Sequence, residues 1–337
     1  MIKTKKLTNT GFLLIVTITL FVIMYGAGMV VYSTQGFQKL QTFLNLFINN
    51  AGLIVISAGM TIVMITGGID ISVGSLTALT CMILADMMEN KGVNPVLAVA
   101  FVLFVGLVFG LAQGFLVAYL KIQPFIVTLA GMFFARGMTA IISTEMISIK
   151  NELFMSWAQA KITLPFGGYV NKKGALIPAY IFPSVIIALL VLAVVYILLK
   201  YTKFGWSIYA IGGSEQSALM MGISVRKIKL RAYTLSSFLC TLGGFLFCLN
   251  SCAGFVEQAR GLEMDAIASA VIGGTLLTGG VGNVIGSLFG VLIKGTIETL
   301  ITTQGTLSSW WTRITIAALL CVFIMLQSIL AKTRKTK

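Results

Sequence analysis

Histidine is absent from this 337-residue chain. Imidazole general bases and histidine-ligated metals are therefore excluded. Charge is also scarce: 10% of the residues are charged, against about 25% in soluble domains. No G-x-x-x-x-G-K-[ST] occurs, so the chain cannot cradle a nucleotide in a P-loop. The five cysteines, Cys81, Cys240, Cys248, Cys252 and Cys321, all lie in apolar surroundings and form no C-x-x-C. Cys248 and Cys252 have the i, i+4 spacing that makes a thiol pair geometrically possible. As a group, though, the cysteines read as apolar filler, and neither a metal nor a cofactor is expected.

Apolar sequence fills the space left by charge. Hydrophobic residues make up 58% of the chain and the mean hydropathy is +0.99. These values indicate a polytopic membrane protein with no room for a separate soluble domain. A net charge of +14 could suggest nucleic acid. The basic residues are instead scattered through loops and tails, so membrane topology explains them and no nucleic-acid partner is expected.

Within this apolar chain, Gly59–Leu79 (GMTIVMITGGIDISVGSLTAL) places two glycines, an aspartate and two serines at its centre. A helix broken in hydrocarbon leaves backbone groups unpaired, at several kcal/mol each. Such a break survives where protein packs around it or where it lines a wet cavity, and Asp70 inside it points the same way. The pattern has an echo. Thr66-Gly67-Gly68-Ile69 with Gly74-Ser75-Leu76 returns 212 residues later as Thr278-Gly279-Gly280-Val281 with Gly286-Ser287-Leu288. Paired Gly-interrupted hydrophobic segments mark a translocation pathway in transporters.

A span needs about 20 apolar residues. That rule gives spans near 11–32, 48–66, 71–88, 95–119, 124–143, 176–199, 232–252, 265–279, 283–302 and 310–331. The expected fold is all-α and polytopic, with about ten transmembrane helices, Gly-broken helices and an internal parallel pseudo-repeat. A count of eight or nine stays open because 67–71 and 279–283 are breaks rather than loops. The run Gly11 to Tyr32 is too long for a signal-peptide core and lacks a small-x-small cleavage site, so it is expected to remain as a span. Lys and Arg concentrate on one side, with Lys200, Lys203, Arg226, Lys227, Lys229 and Arg231 in the 200–231 loop alone. The positive-inside rule then puts that loop and both termini in the cytoplasm. The interval 144–175 reads as an external cap with a short surface helix. A surface for an external protein is expected there or near Gly254–Gly261. Two glycine ladders, Gly106/Gly110/Gly114 and Gly282/Gly286/Gly290, read as helix-packing faces.

In the 200–231 loop, Ser214 is a good N-cap, Glu215 is an acidic first-turn residue and Gly222 is a natural stop. They define a short helix presenting Leu219, Met220 and Met221, suited to a partner's groove. An interfacial helix lying on lipid headgroups is the other reading. Gly212-Gly213, Ala218 and Gly222-Ile223 in this loop resemble the ribose-type sugar permeases of ABC importers. Gly67-Gly68-Ile69-Asp70 running into Ser72-Val73-Gly74-Ser75 is similar to that family's most recognisable segment. So is Asp265-Ala266-Ile267-Ala268-Ser269, continuing through Ile272-Gly273-Gly274-Thr275 to Gly279-Gly280-Val281-Gly282. The resemblance runs from about residue 45 to the end. Phe125–Phe134 with Arg136-Gly137, and Gly305–Thr312, look most like the galactofuranose-importer branch.

The resemblance implies a single permease domain with no catalytic residues. Its first half is about 1–143, its second half about 176–331, and its cytoplasmic coupling loop 200–231. The implied partners are ABC ATPase subunits, a second permease more often related than identical, a periplasmic or lipid-anchored sugar-binding protein, a sugar, and the inner-membrane bilayer. The implied coupling residues are Gly212, Gly213, Ser214, Glu215, Ser217, Ala218, Leu219, Met220, Met221, Gly222 and Ile223. Family loops usually carry Asn after the Gly pair and Ala-Ala later. Here Ser214 and Ser217-Ala218 stand there, and Met221 replaces a small polar residue, which leaves open which ATPase docks.

Candidate pathway residues are Thr66, Gly67, Gly68, Asp70, Ser72, Ser75, Gln113, Arg136, Asn250, Thr275, Gly279, Gly280 and Asn283. Thr61 and Thr128 are further polar candidates. Lys294 and Glu298 have the spacing to neutralise each other on one helix face. Arg136 is placed to meet Asp70 or Glu145 or to line the vestibule, and the sequence does not choose. A secondary transporter or channel working alone is the competing function, with Asp70, Asp86 and Glu298 as its candidate in-membrane carboxylates.

Overall fold

The computed structural model describes residues 9–170, 176–305, 308 and 310–335. Lys3, Lys5, Lys6, Lys172, Lys173 and Lys337 lie outside the described residues, as do Thr306, Leu307 and Ser309 of the Gly305–Thr312 stretch. The first half holds α1 (Asn9–Val31), α2 (Leu40–Ile65), α3 (Val73–Ala85), α4 (Pro95–Ala118) and α5 (Pro124–Ile142). A short helix α6 (Glu152–Gln159) leads to α7 (Pro183–Tyr201), α8 (Lys203–Gly213) and α9 (Glu215–Met220). The chain continues with α10 (Val225–Ser251), α11 (Leu262–Ile272), α12 (Val284–Gln304) and α13 (Trp310–Lys335). Among the described residues, strands are two-residue pairings only. Proline opens three of the helices, α4, α5 and α7, where its missing N–H costs nothing.

Among the described residues, seven helices are long and apolar enough to cross a bilayer: α1, α2, α4, α5, α7, α10 and α12. Seven of the ten expected spans appear at that length. Segments 71–88 and 265–279 fold as α3 and α11, of 13 and 11 residues. At ~1.5 Å per residue these reach only about 20 and 16 Å, against a hydrocarbon core of ~30 Å. In both cases the glycine break shortens the helix. A π-helical turn, Asp86–Asn90, extends α3 slightly. α13 is 26 residues long, and its stretch Trp310–Met325 is apolar.

Other boundaries move for local reasons. α7 starts at Pro183 rather than 176 because Leu176–Ile177 pairs as a strand with Tyr169–Val170, and Tyr180–Ile181 with Ile162–Thr163. α10 starts at Val225, well before the apolar run. Its charged turns bury Val225, Ile228 and Ala232 while Arg226 and Lys227 face out. Cys252 leaves that helix with φ +48°, so it does not continue the helical spacing from Cys248. All five cysteines are free thiols.

The hub is α2, buried along nearly all of its length and packed against α7, α10, α11 and α12. Glycine sets how closely the helices approach. An added Cβ at Gly110 would sit 2.7 Å from Thr234 Cα, and at Gly114 2.9 Å from Leu230 O, both on α10. The first ladder is thus the seam between α4 and α10. The second serves α11, since Gly286 lies against Gly273 O and Gly290 against Ser269 O. Without a hydrophobic drive between helices in lipid, such close backbone contact is what holds them. Gly110→Val should therefore cost about 1–3 kcal/mol through overpacking against backbone that cannot yield. The check is a lower melting temperature of the detergent-solubilised chain, with Leu111→Val, on the exposed side of α4, as the neutral control.

At the end opposite the 200–231 loop, α6 forms within the expected cap. Asn151 Oδ1 accepts from the N–H groups of Leu153 and Phe154, and Phe154 is fully buried against Phe245, with ring centroids 6.4 Å apart. Ile147–Ser148 pairs antiparallel with Ala253–Gly254. Glu89 accepts from the backbone of Lys150 and Asn151 at 2.7 and 2.9 Å. The two stretches expected at the outer mouth are therefore one joined surface.

Candidate functional site

Each helix break is built by a standard stop. At the end of α2, Gly67 adopts φ +81° and its N–H donates to Met64 O (2.9 Å), while Gly68 N–H donates to Val63 O (3.2 Å). This is a Schellman ending, which needs a left-handed residue that glycine supplies without strain. At the end of α11 the same pair of bonds recurs, five residues before the register match of the sequence echo. Gly274, at φ +91°, donates to Val271 O, and Thr275 donates to Ala270 O. The structural counterpart of Gly67 is thus Gly274, not the Gly279 that matches it in register. Gly279 and Gly280 instead shape the turn before α12, where Leu276 N–H donates to Val281 O at 3.0 Å. Asn283 caps α12 by accepting from Ile285 N at 2.9 Å.

The breaks nevertheless touch. Gly280 N–H donates to Ile65 O at 2.9 Å, using a carbonyl left free where α2 ends. A Cβ on Gly279 would lie 2.8 Å from Gly67 N. A third glycine pair completes the contact. Gly212, at the end of α8, packs directly on Ile65 O and Gly280 N, and a Cβ on Gly280 would lie 2.9 Å from Gly213 N. Tyr209 of α8 donates through its hydroxyl to Gly282 O at 2.9 Å. Burial, with a smaller contribution from Tyr196, raises the Tyr209 phenol above its ordinary pKa, so it remains a neutral donor. Gly67 and Thr278 are exposed at the edge of this junction.

The loop itself has the expected form. Ser214 Oγ accepts from Ser217 N at 3.2 Å, and Gly222 ends the turn at φ +76°. Ala218 is buried, while Leu219, Met220 and Met221 are 56%, 80% and 65% exposed. Glu215 pairs with Lys229 at 2.6 Å.

The remaining pathway candidates separate into two other places. Asp70 is fully buried, and its Oδ1 accepts from Ser72 N at 3.1 Å and Ser72 Oγ at 2.6 Å. Its Oδ2 accepts from Ser236 of α10 at 3.4 Å. Gln113 of α4 donates to Ser72 Oγ at 3.1 Å, and Thr128 of α5 donates to Ile69 O at 3.3 Å. Asp70 thus starts α3 with an Asx-type turn and ties the break to three neighbouring helices. Ser75 is buried one turn further on, and Thr61 bonds Ser287 of α12 at 2.7 Å. Thr66 is occupied by its own helix through Val63 O, and Thr275 Oγ1 is buried with no hydrogen-bond partner.

Arg136 meets neither Asp70 nor Glu145. It donates to the carbonyls of Val256 (a short contact) and Gln258 (2.8 Å), fastening α5 to the loop before α11, and Asn250 is exposed at that same end. Lys294 and Glu298 do pair, at 2.5 Å. The sequence missed Asp265 of α11, 3.7 Å from Lys294. It also missed the meeting of the three Gly-Gly pairs, for which the repeated dipeptide was the available signal.

A family model described as a permease component of branched-chain amino acid transport systems matches residues 42–324. The chain is 44% identical over 316 residues to the inner membrane ABC transporter permease protein YjfF of Escherichia coli K12, covering 93% of this chain and 91% of that one. It is 35% identical over 310 residues to the fructose import permease protein FruG of Bifidobacterium longum, covering 92% and 88%. With the ribose import permease protein RbsC of E. coli K12 it shares 34% identity over 274 residues, 81% of each chain. No solved structure matches it.

Proposed function

The chain belongs to the family of permease components of the branched-chain amino acid transport type, and from that premise we propose that it is one permease subunit of an ATP-driven monosaccharide importer. The relatives named for fructose and ribose support a sugar as cargo. The stretches Phe125–Phe134, Arg136-Gly137 and Gly305–Thr312 favour a galactofuranose-like sugar or a related pentose or hexose. They also favour a related second permease over a second copy of this chain. The distribution of Lys and Arg supports cytoplasmic termini and a cytoplasmic 200–231 loop.

The observation that carries this reading is the three-way glycine junction. A separate ATPase engages Leu219, Met220 and Met221, and α8 and α9 move with it. Gly212 and Gly213 bear directly on Gly280 and Ile65, and Tyr209 holds Gly282, so that motion reaches both helix breaks through backbone. The gate opens beside Gly67, Gly68, Gly279 and Gly280. Thr275 offers a spare hydroxyl and Asn283 an amide to a passing sugar. Asp70, Ser72, Ser75 and Gln113 hold the break in shape rather than contact cargo. Arg136 and Asn250 belong to the outer end, where the binding protein delivers the sugar.

The test is reconstitution of the chain in proteoliposomes with its ATPase, second permease and binding protein. Uptake of labelled sugar should require ATP and every subunit. Uptake by this chain alone down a proton or sodium gradient would overturn the reading in favour of a stand-alone transporter.

A further inference from the structure

Beside the glycine junction lies a cavity of about 680 Å³ between the end of α7, α8 and the start of α12. Its walls include Tyr196, Lys200, Trp206, Tyr209, Asn283 and Val284. We infer that this groove is a binding site for an anionic phospholipid, with the phosphate held at Lys200 and the acyl chains running along α7.

The charge is single and prepared. Among the described residues, Lys200 is the one charged residue of the lining, and it is exposed. Its ammonium donates to Tyr196 Oη at 2.8 Å and lies 5.1 Å from the ring centroids of both Tyr196 and Tyr201. An ammonium has three donors, so one remains for a phosphate beyond those engaged by Tyr196 and Tyr201. Trp206, 71% exposed, fixes the same corner by donating from Nε1 to Lys200 O at 3.1 Å. The N-terminus of the 21-residue helix α12 opens at Asn283 and Val284 and adds partial positive charge. Three tyrosines and a tryptophan around one lysine is the composition of a membrane interface, where aromatic rings sit at headgroup level. Basic pockets between spans at that depth take anionic headgroups.

The apolar part of the occupant has its own track. Leu190, Val194, Ile197 and Tyr201 are exposed at helical spacing along α7, at 61%, 61%, 54% and 66%. The same helix brings Tyr196, Leu199 and Lys200 to the groove, so the stripe supplies a neighbouring face suited to acyl chains. The volume, within the ~300–1,000 Å³ of small-ligand pockets, accommodates a glycerophosphate headgroup and the first part of two chains. Only the leaflet depends on the topology proposed above; if the 200–231 loop is cytoplasmic, it is the inner one. The lipid would lie against Tyr209 and Gly282, the side wall of the gate.

The experiment uses the full-length chain extracted from nanodiscs of equal phosphatidylethanolamine and phosphatidylglycerol, with retained lipid counted by native mass spectrometry. Wild type should keep phosphatidylglycerol in preference to phosphatidylethanolamine. Lys200→Gln should lower that retention about fivefold, the worth of one lysine near an anionic surface, and Lys200→Glu further. Lys203→Gln, exposed but outside the lining, should change it little and controls for general loss of charge. Equal retention of both lipids would overturn the proposal, as would no retained lipid, or retention that Lys200→Glu leaves unchanged. Occupation of the groove by a partner subunit would appear as loss of bound phosphatidylglycerol on assembly of the complex, and would equally overturn it. Because neither sugar nor ATP enters the assay, its outcome is independent of the transport reading.

Discussion

Replacing Leu219, Met220 and Met221 each with Asp is expected to reduce ATP-driven uptake to background while the chain still reaches the membrane in normal amount. All three side chains face away from the fold, so no buried contact is lost. Folding of the loop depends instead on buried Ala218, the Ser214 cap and the Gly222 stop, none of which changes. What the variant destroys is the ability to seat an apolar ridge in a partner's groove, since each carboxylate would have to be desolvated there. Interface hot spots are worth about 2 kcal/mol or more apiece, so three lost together should weaken ATPase binding at least ~10³-fold. Co-purification of the ATPase with the permease measures this directly. Glu215→Ala is the control, because the Glu215–Lys229 pair lies on the surface and such pairs contribute ~0–1 kcal/mol; uptake should stay within about twofold. An Asp triple variant that still binds ATPase and imports sugar would move the docking surface elsewhere.

The short helix Glu215–Met220 was legible because its signals are local. A Ser cap, an acidic first turn and a Gly stop act within one turn of the chain, and the structure uses them as the sequence suggests. The Lys294–Glu298 pair was legible for the same reason, and Asp265 was missed because it arrives from another helix. Helix count was read less well: hydropathy registers apolar length but not where a glycine ends the hydrogen-bond ladder. For that reason α3 and α11 were counted as full spans. The glycine echo pointed to the right neighbourhood with the wrong pairing, since Gly67 and Gly274 perform the stop while Gly279 shapes a turn. Asp70 drew a functional reading because a carboxylate in an apolar run is conspicuous. Its partners, Ser236 on α10 and Gln113 through Ser72, are distant in sequence, so the sequence did not show that its oxygens are already hydrogen-bonded.

Gly212→Val should separate docking from transport. Position 212 has no room for a side chain, because a Cβ there would collide with Ile65 O and Gly280 N, which are backbone and cannot rotate away. The valine must therefore force α8 off the junction of the two breaks, displacing the Gly280–Ile65 hydrogen bond and the Tyr209–Gly282 contact with it. The exposed ridge at 219–221 is untouched, so ATPase should co-purify in wild-type amount. Uptake should fall ~100-fold or more, and ATP hydrolysis should lose its stimulation by the binding protein. Gly213→Ala is the matched control one residue away: its Cβ would meet nothing within 4 Å, and alanine favours the helix by about 1 kcal/mol. That variant should transport normally. Were the two substitutions equally harmful, or equally silent, the backbone contact at Gly212 could not be the route by which the ATPase reaches the gate. If only Gly212→Val uncouples bound ATPase from import, the force passes through that point.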